Sequence, residues 1–183
     1  MRIFVFFIFA ANLIFAKPIL LIGDSMAEAI YKPICSIFES NALACDVYFK
    51  RGTRVDYWLK NKQIFENSQN PKIAIITLGT NDLIAKKSNQ KIIDELKLLF
   101  LEVQKLGVLK SSIFIVATPI ANDNNLNYAM KKEFGSNVLE SKKLRLAMSY
   151  DNIHPTMASD YFWAAKIADE IMSNKRFDEV LKN

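Results

Sequence analysis

The chain has 183 residues, 51% of them hydrophobic and 23% charged, with a formal charge of +5 at neutral pH. That length and composition exclude a disordered or fibrous protein and fit one domain behind a short leader. The Lys and Arg residues are dispersed in pairs such as Lys50-Arg51, Lys86-Lys87 and Lys142-Lys143, with no basic stripe or stacking platform. Nucleic acid is thereby excluded as a partner, and an anionic glycan or membrane surface fits the charge better.

At the N-terminus, Arg2 precedes an apolar stretch from Ile3 to Phe15 that closes on Ile14-Phe15-Ala16 before Lys17. The run is too short for an ordinary membrane span, and small Ala16 suits cleavage before Lys17. Residues 1–16 are therefore predicted to be a signal peptide and 17–183 the mature domain, placing the protein in the periplasm or outside the cell. It would touch the membrane only through the leader before cleavage; an uncleaved anchor is the alternative reading.

Pro18 to Ile22 is a short unbroken apolar run bounded by Gly23, the pattern of a strand buried on both faces. A helix is predicted to begin near Pro33 and carry Ile34, Ile37 and Phe38 inward, since Pro suits a first turn and argues against one long helix from Met26. Asp46 to Phe49 reads as the second strand, Val55 to Phe65 as a helix, and Lys72 to Leu78 as the third strand. Ile92, Leu96, Leu99, Val103 and Leu106 form a helical stripe, with Ser88 as its cap and Gly107 as its stop. Ser112 to Thr118 is predicted as the fourth strand, Leu126 to Phe134 as a short helix stopped by Gly135, and Leu144 to Met148 as the fifth strand. A last helix carries Tyr161, Ala164, Ala165, Ala168, Ile171 and Met172 on one face, with Thr156 at its start. Strands alternating with helices imply a parallel sheet covered on both faces.

Cys35 and Cys45 are the only cysteines. In an oxidising compartment they can close a disulfide, the reading preferred here, or stand as two buried thiols. No Cys-x-x-Cys pair is present and His154 is the only histidine, so no metal site and no cofactor are expected.

A serine hydroxyl is a poor nucleophile until a neutral imidazole takes its proton, and a carboxylate that fixes the imidazole tautomer improves that base. Ser25 follows the first strand in Gly23-Asp24-Ser25, and the one available base is His154 in Asp151-Asn152-Ile153-His154-Pro155. Gly52 follows the second strand, and Gly79-Thr80-Asn81-Asp82 the third. In a parallel sheet with right-handed crossovers these loops gather along one edge, where a bare Gly52 N–H and the Asn81 amide can meet a developing oxyanion.

These four blocks, in this order, resemble the SGNH hydrolases, the GDSL esterases and lipases, over essentially the whole mature chain. The resemblance implies a three-layer α/β/α, flavodoxin-like fold with a mainly parallel five-stranded sheet. It also implies Ser25 as nucleophile, His154 as base and Asp151 as its orienting carboxylate, with an oxyanion hole from the Ser25 N–H, the Gly52 N–H and the Asn81 side-chain amide. The expected activity is ester hydrolysis without a cofactor, on a small acylated substrate such as an O-acetylated carbohydrate or cell-wall glycan. Three alternatives stay open: a lysophospholipase or thioesterase, if Leu126, Tyr128, Met130 and Phe134 line an apolar groove; a glycan O-acyltransferase; and a non-catalytic glycan-binding protein.

Overall fold

The computed structural model describes residues 19–68, 70–174 and 177, so the predicted leader lies outside the described residues. Five parallel strands form one sheet in the order β2-β1-β3-β4-β5: β1 (Ile19–Gly23), β2 (Cys45–Phe49), β3 (Ile73–Thr77), β4 (Ile113–Val116) and β5 (Val138–Leu139). Period-two alternation divides the strand side chains between two apolar layers. Leu20, Ile22, Ala74, Ile76, Ile113, Ile115 and Val138 face one layer; Ile19, Leu21, Ile73, Ile75, Phe114, Val116 and Leu139 face the other.

The first layer is closed by α2 (Val55–Lys60), α3 (Gln63–Glu66), α5 (Asn89–Lys105) and α6 (Leu126–Phe134), through Trp58, Phe65, Leu96, Val103 and Met130. The second is closed by α1 (Ser25–Glu39) and α7 (Met157–Met172), through Ile30, Phe38, Trp163 and Ile167. A short α4 (Thr80–Ile84) follows β3. As predicted, Ser88 caps α5 by accepting from the Lys91 N–H; Thr156, expected at the start of α7, caps that helix by accepting from the Ser159 N–H.

Three predicted elements differ. First, α1 runs unbroken from Ser25 through Pro33. An interior proline costs about 3 kcal/mol, but the buried stripe of Met26, Ala27 and Ile30 continues as Ile34, Cys35 and Phe38 beyond it. Each such aliphatic or aromatic side chain contributes about 1.5–3 kcal/mol when fully buried, which outweighs the lost hydrogen bond. Second, the helix expected over Val55 to Phe65 is two helices, α2 and α3, parted at Asn61-Lys62.

Third, β5 is Val138–Leu139 and not Leu144 to Met148. Leu144 and Leu146 do pack half-buried on the second layer, which explains the alternating signal. Arg145, however, takes a left-handed φ of 49°, so the segment cannot extend as a strand. The Asn137 amide donates instead to the carbonyls of Lys110 (2.8 Å) and Ile113 (2.7 Å), tying the start of β5 to β4.

Cys35 on α1 and Cys45 at the start of β2 are joined in a disulfide, their Cα atoms 5.8 Å apart. The bridge fastens the edge strand to the helix beneath it. Replacing both cysteines with serine is expected to lower unfolding stability by about 3 kcal/mol, the loop-entropy value for so short a closed segment. A thermal melt should fall by roughly 10 °C; an unchanged midpoint would mean the bridge constrains nothing that packing does not.

Candidate active site

The chain leaves β1 for β2 on one side and then crosses to β3 on the other, so the sheet's switch point lies between β1 and β3. Side loops diverge there and leave a crevice at the carboxyl ends of the strands. Ser25 opens α1 just beyond β1, and Asn81 lies in α4 just beyond β3. The strands meet closely here: a Cβ on Gly23 would stand 2.0 Å from Thr77 Oγ1, so no larger residue fits before Asp24.

Ser25 Oγ lies 2.8 Å from His154 Nε2, and His154 Nδ1 lies 2.7 Å from Asp151 Oδ2. With Asp151 charged, Nδ1 carries the proton and Nε2 is left to accept from the serine. The loop is folded for this contact. The Met148–Pro155 bridge and the Ser149 N–H bonded to the His154 carbonyl (2.8 Å) close its base, while Asn152 supplies the turn with a φ of 55°. Asp151 Oδ1 accepts from the Ser149 hydroxyl (2.7 Å) and from the N–H groups of Ile153 (2.9 Å) and His154 (3.0 Å). The His154 ring first, then these N–H groups and the Ser149 hydroxyl, hold the Asp151 carboxyl well below the usual carboxylate range.

Gly52 sits in the loop after β2 with a φ of 72°, a left-handed conformation that favours glycine. That loop is fixed by the Thr53 hydroxyl donating to the Lys50 carbonyl (2.7 Å) and by Trp58 Nε1 donating to Thr53 Oγ1 (3.1 Å). Arg51 reaches across to α1 and pairs with Glu28 through both forks of its guanidinium. Among the described residues, neither the Ser25 nor the Gly52 N–H has a hydrogen-bond acceptor. The Asn81 amide, in contrast, donates to Asp24 Oδ2 (2.7 Å) and to the Thr53 carbonyl (3.1 Å).

All five predicted site residues thus meet at one edge: Ser25, His154 and Asp151 in contact, Gly52 and Asn81 lining the same cleft. Sequence reading passed over Asp24 and Asp82. Asp24 is fully buried and caps α1 by accepting from the Met26 N–H (2.9 Å); its position just before a helix was the available signal. Asp82, also fully buried, accepts from the Val55 N–H (3.1 Å) and pairs with Lys87. Asp56, Asp82 and Glu95 cluster closely enough to suggest a cation site, but Lys87 Nζ already stands among them at 3.5, 2.5 and 2.6 Å.

No family model matches the sequence, and no curated protein matches it. Solved structures do. Axe2, an acetylxylan esterase from Geobacillus stearothermophilus, superposes with a TM-score of 0.69 at 15% identity, over 85% of this chain and 94% of that one. TesA matches with a TM-score of 0.70 at 13% identity, over 85% of this chain and 98% of its own. The psychrotrophic esterase EstA from Pseudoalteromonas sp. matches with a TM-score of 0.68 at 16% identity, over 91% of this chain and all of its own.

The fold is that of the SGNH hydrolases. In this SGNH fold a cleft of about 780 Å³ opens over Ser25 and His154, between Glu28, Tyr31 and Lys32 of α1 and Met157, Asp160 and Tyr161 of α7. Burial pushes the Asp160 carboxyl up to about 6, the His154 charge pulling the other way. A separate cleft of about 840 Å³, between α5 and the end of α6, contains none of the site residues. The four residues considered for a groove for longer acyl chains do not line the Ser25 cleft: Leu126 and Met130 are fully buried in the core, Phe134 stacks on Phe100 at 5.6 Å in the separate cleft, and Tyr128 is exposed.

Proposed function

We propose that the protein is an exported serine esterase that removes a short acyl group, above all an O-acetyl group, from a carbohydrate. The observation that carries this reading is the continuous relay from Ser25 Oγ through both His154 nitrogens to Asp151, opening on a cleft rather than a tunnel. His154 Nε2 takes the serine proton as Oγ attacks the ester carbonyl. Asp151 stabilises the resulting imidazolium. The oxyanion is met by the Ser25 and Gly52 N–H groups and by Asn81. The imidazolium then protonates the departing alcohol, and water, activated by the same histidine, releases the acid.

Two features favour a small acyl group on a sugar. Leu126 and Met130, two of the four residues considered for a long-chain groove, are buried in the core, and Tyr31 and Tyr161 flank the cleft beside the carboxylates of Glu28 and Asp160, as suits a polyhydroxylated ring. The acetylxylan esterase activity in the name of Axe2 agrees with that substrate class. Export is supported by the leader sequence and by the disulfide.

The test compares wild type with Ser25→Ala on acetylated glycans and on short- and long-chain esters. Ser25-dependent acetate release from glycans should dominate. Dominant long-chain hydrolysis would move the protein to lysophospholipase or thioesterase chemistry, dominant acetylation of an added glycan to acyl transfer, and absence of Ser25-dependent turnover to glycan binding.

A further inference from the structure

The Asn81 amide has two hydrogens, and both are committed: one to Asp24 Oδ2 at 2.7 Å, the other to the Thr53 carbonyl at 3.1 Å. An oxyanion therefore cannot receive Asn81 without displacing one of these acceptors. The two are unequal. A carboxylate oxygen binds an N–H about twice as strongly as a neutral carbonyl does, and the shorter distance is to Asp24. Thr53 itself cannot follow, because Lys50 and Trp58 hold its side chain. The Asp24 carboxylate also caps α1 through the Met26 N–H, so one buried group spans the segment that starts with the nucleophile and the helix that carries the oxyanion donor.

Building on the esterase reading, we propose that Asp24 is the positioning residue of the oxyanion hole: it pins one Asn81 hydrogen so that the other transfers between the Thr53 carbonyl in the resting enzyme and the oxyanion during acylation. Burial raises the Asp24 carboxyl to about 6, against the N–H groups of Met26 and Asn81 that favour its charge. The ionisable group acting on it is Asp82 of α4, itself paired with Lys87. A protonated Asp24 loses the strong acceptor that Asn81 needs. Its protonation thus joins that of the catalytic base in lowering kcat on the acid side.

The experiment is a double-mutant cycle on an aryl acetate, with Ser25→Ala as the zero. Asp24→Asn should lower kcat about 10- to 100-fold, less than the roughly 100- to 1000-fold expected for Asn81→Ala, which removes the donor outright. In an Asn81→Ala background the same Asp24→Asn change should alter kcat less than about twofold, because asparagine keeps an oxygen for the Met26 N–H and the contact it loses is the one to Asn81. The acid limb of log kcat should be steeper in wild type than in Asp24→Asn. Asp24→Ser, which retains a helix-capping oxygen but cannot span to Asn81, repeats the cycle should the asparagine variant fail to fold. Equal losses in both backgrounds, or no loss in either, would overturn the role of Asp24 and leave the esterase reading intact. Absence of Ser25-dependent turnover in wild type would overturn that reading and the proposal with it.

Discussion

Ser25→Ala is expected to cut kcat on every accepted ester by roughly 10⁵-fold or more, on the order of 7 kcal/mol of transition-state stabilisation. Substrate binding should change little, because the alanine removes one hydroxyl, which bonds to His154, and leaves the cleft walls in place. The fold should be untouched as well: Ser25 is the first residue of α1, and the cap on that helix is Asp24, not the serine. Residual catalysis by the oxyanion donors would still exceed the reaction in water. Single-turnover measurement with an aryl acetate checks this; a variant keeping a tenth of wild-type kcat would remove Ser25 from the chemistry.

The sheet was legible because parallel strands covered on both faces must be apolar at every position. Ile19 to Ile22 and Ile73 to Ile76 satisfy that with no polar interruption. The fifth strand was not, for the opposite reason: two residues, Val138 and Leu139, give no periodicity, and the longer alternation at Leu144 to Met148 is half-buried irregular chain. Pro33 misled in a different way. Its local cost is real, but the buried face of α1 on either side of it decides the helix, and tertiary packing of that kind is invisible in a single segment.

At the site, side chains with reactive groups were legible and those that support them were not. Ser25, Gly52, Asn81 and the Asp151–His154 pair stand in four separate segments, and their residue chemistry together with the family resemblance named them. That Asp24 turns its second oxygen to Asn81, and that Asp82 binds the first N–H of α2, depends on how the segments after β1, β2 and β3 are brought together by the sheet. Asp24 and Asp82 in a sequence read equally well as caps and turns.

His154→Ala should cost about as much as Ser25→Ala, and the double variant little more than either, since nucleophile and base act as one unit. Asp151→Asn provides the finer test. It preserves the size of the side chain but presents a neutral group to Nδ1, so that the imidazole can take the wrong tautomer; a loss near 10⁴-fold follows. The acid limb of the wild-type profile belongs to groups that change charge within the assayed range, and Asp151, which must stay charged, does not. Its carboxyl is held so low by His154 and the loop N–H groups that it stays charged throughout an assay between about pH 5 and 9. The sign of its stability contribution agrees: a depressed carboxyl stabilises the fold above its unfolded value near 4 and loses that contribution only as pH falls further. The residual activity of His154→Ala should therefore lack the wild-type dependence on the base. Should it titrate as wild type does over the same interval, the proton acceptor for Ser25 would have to be a group other than this histidine.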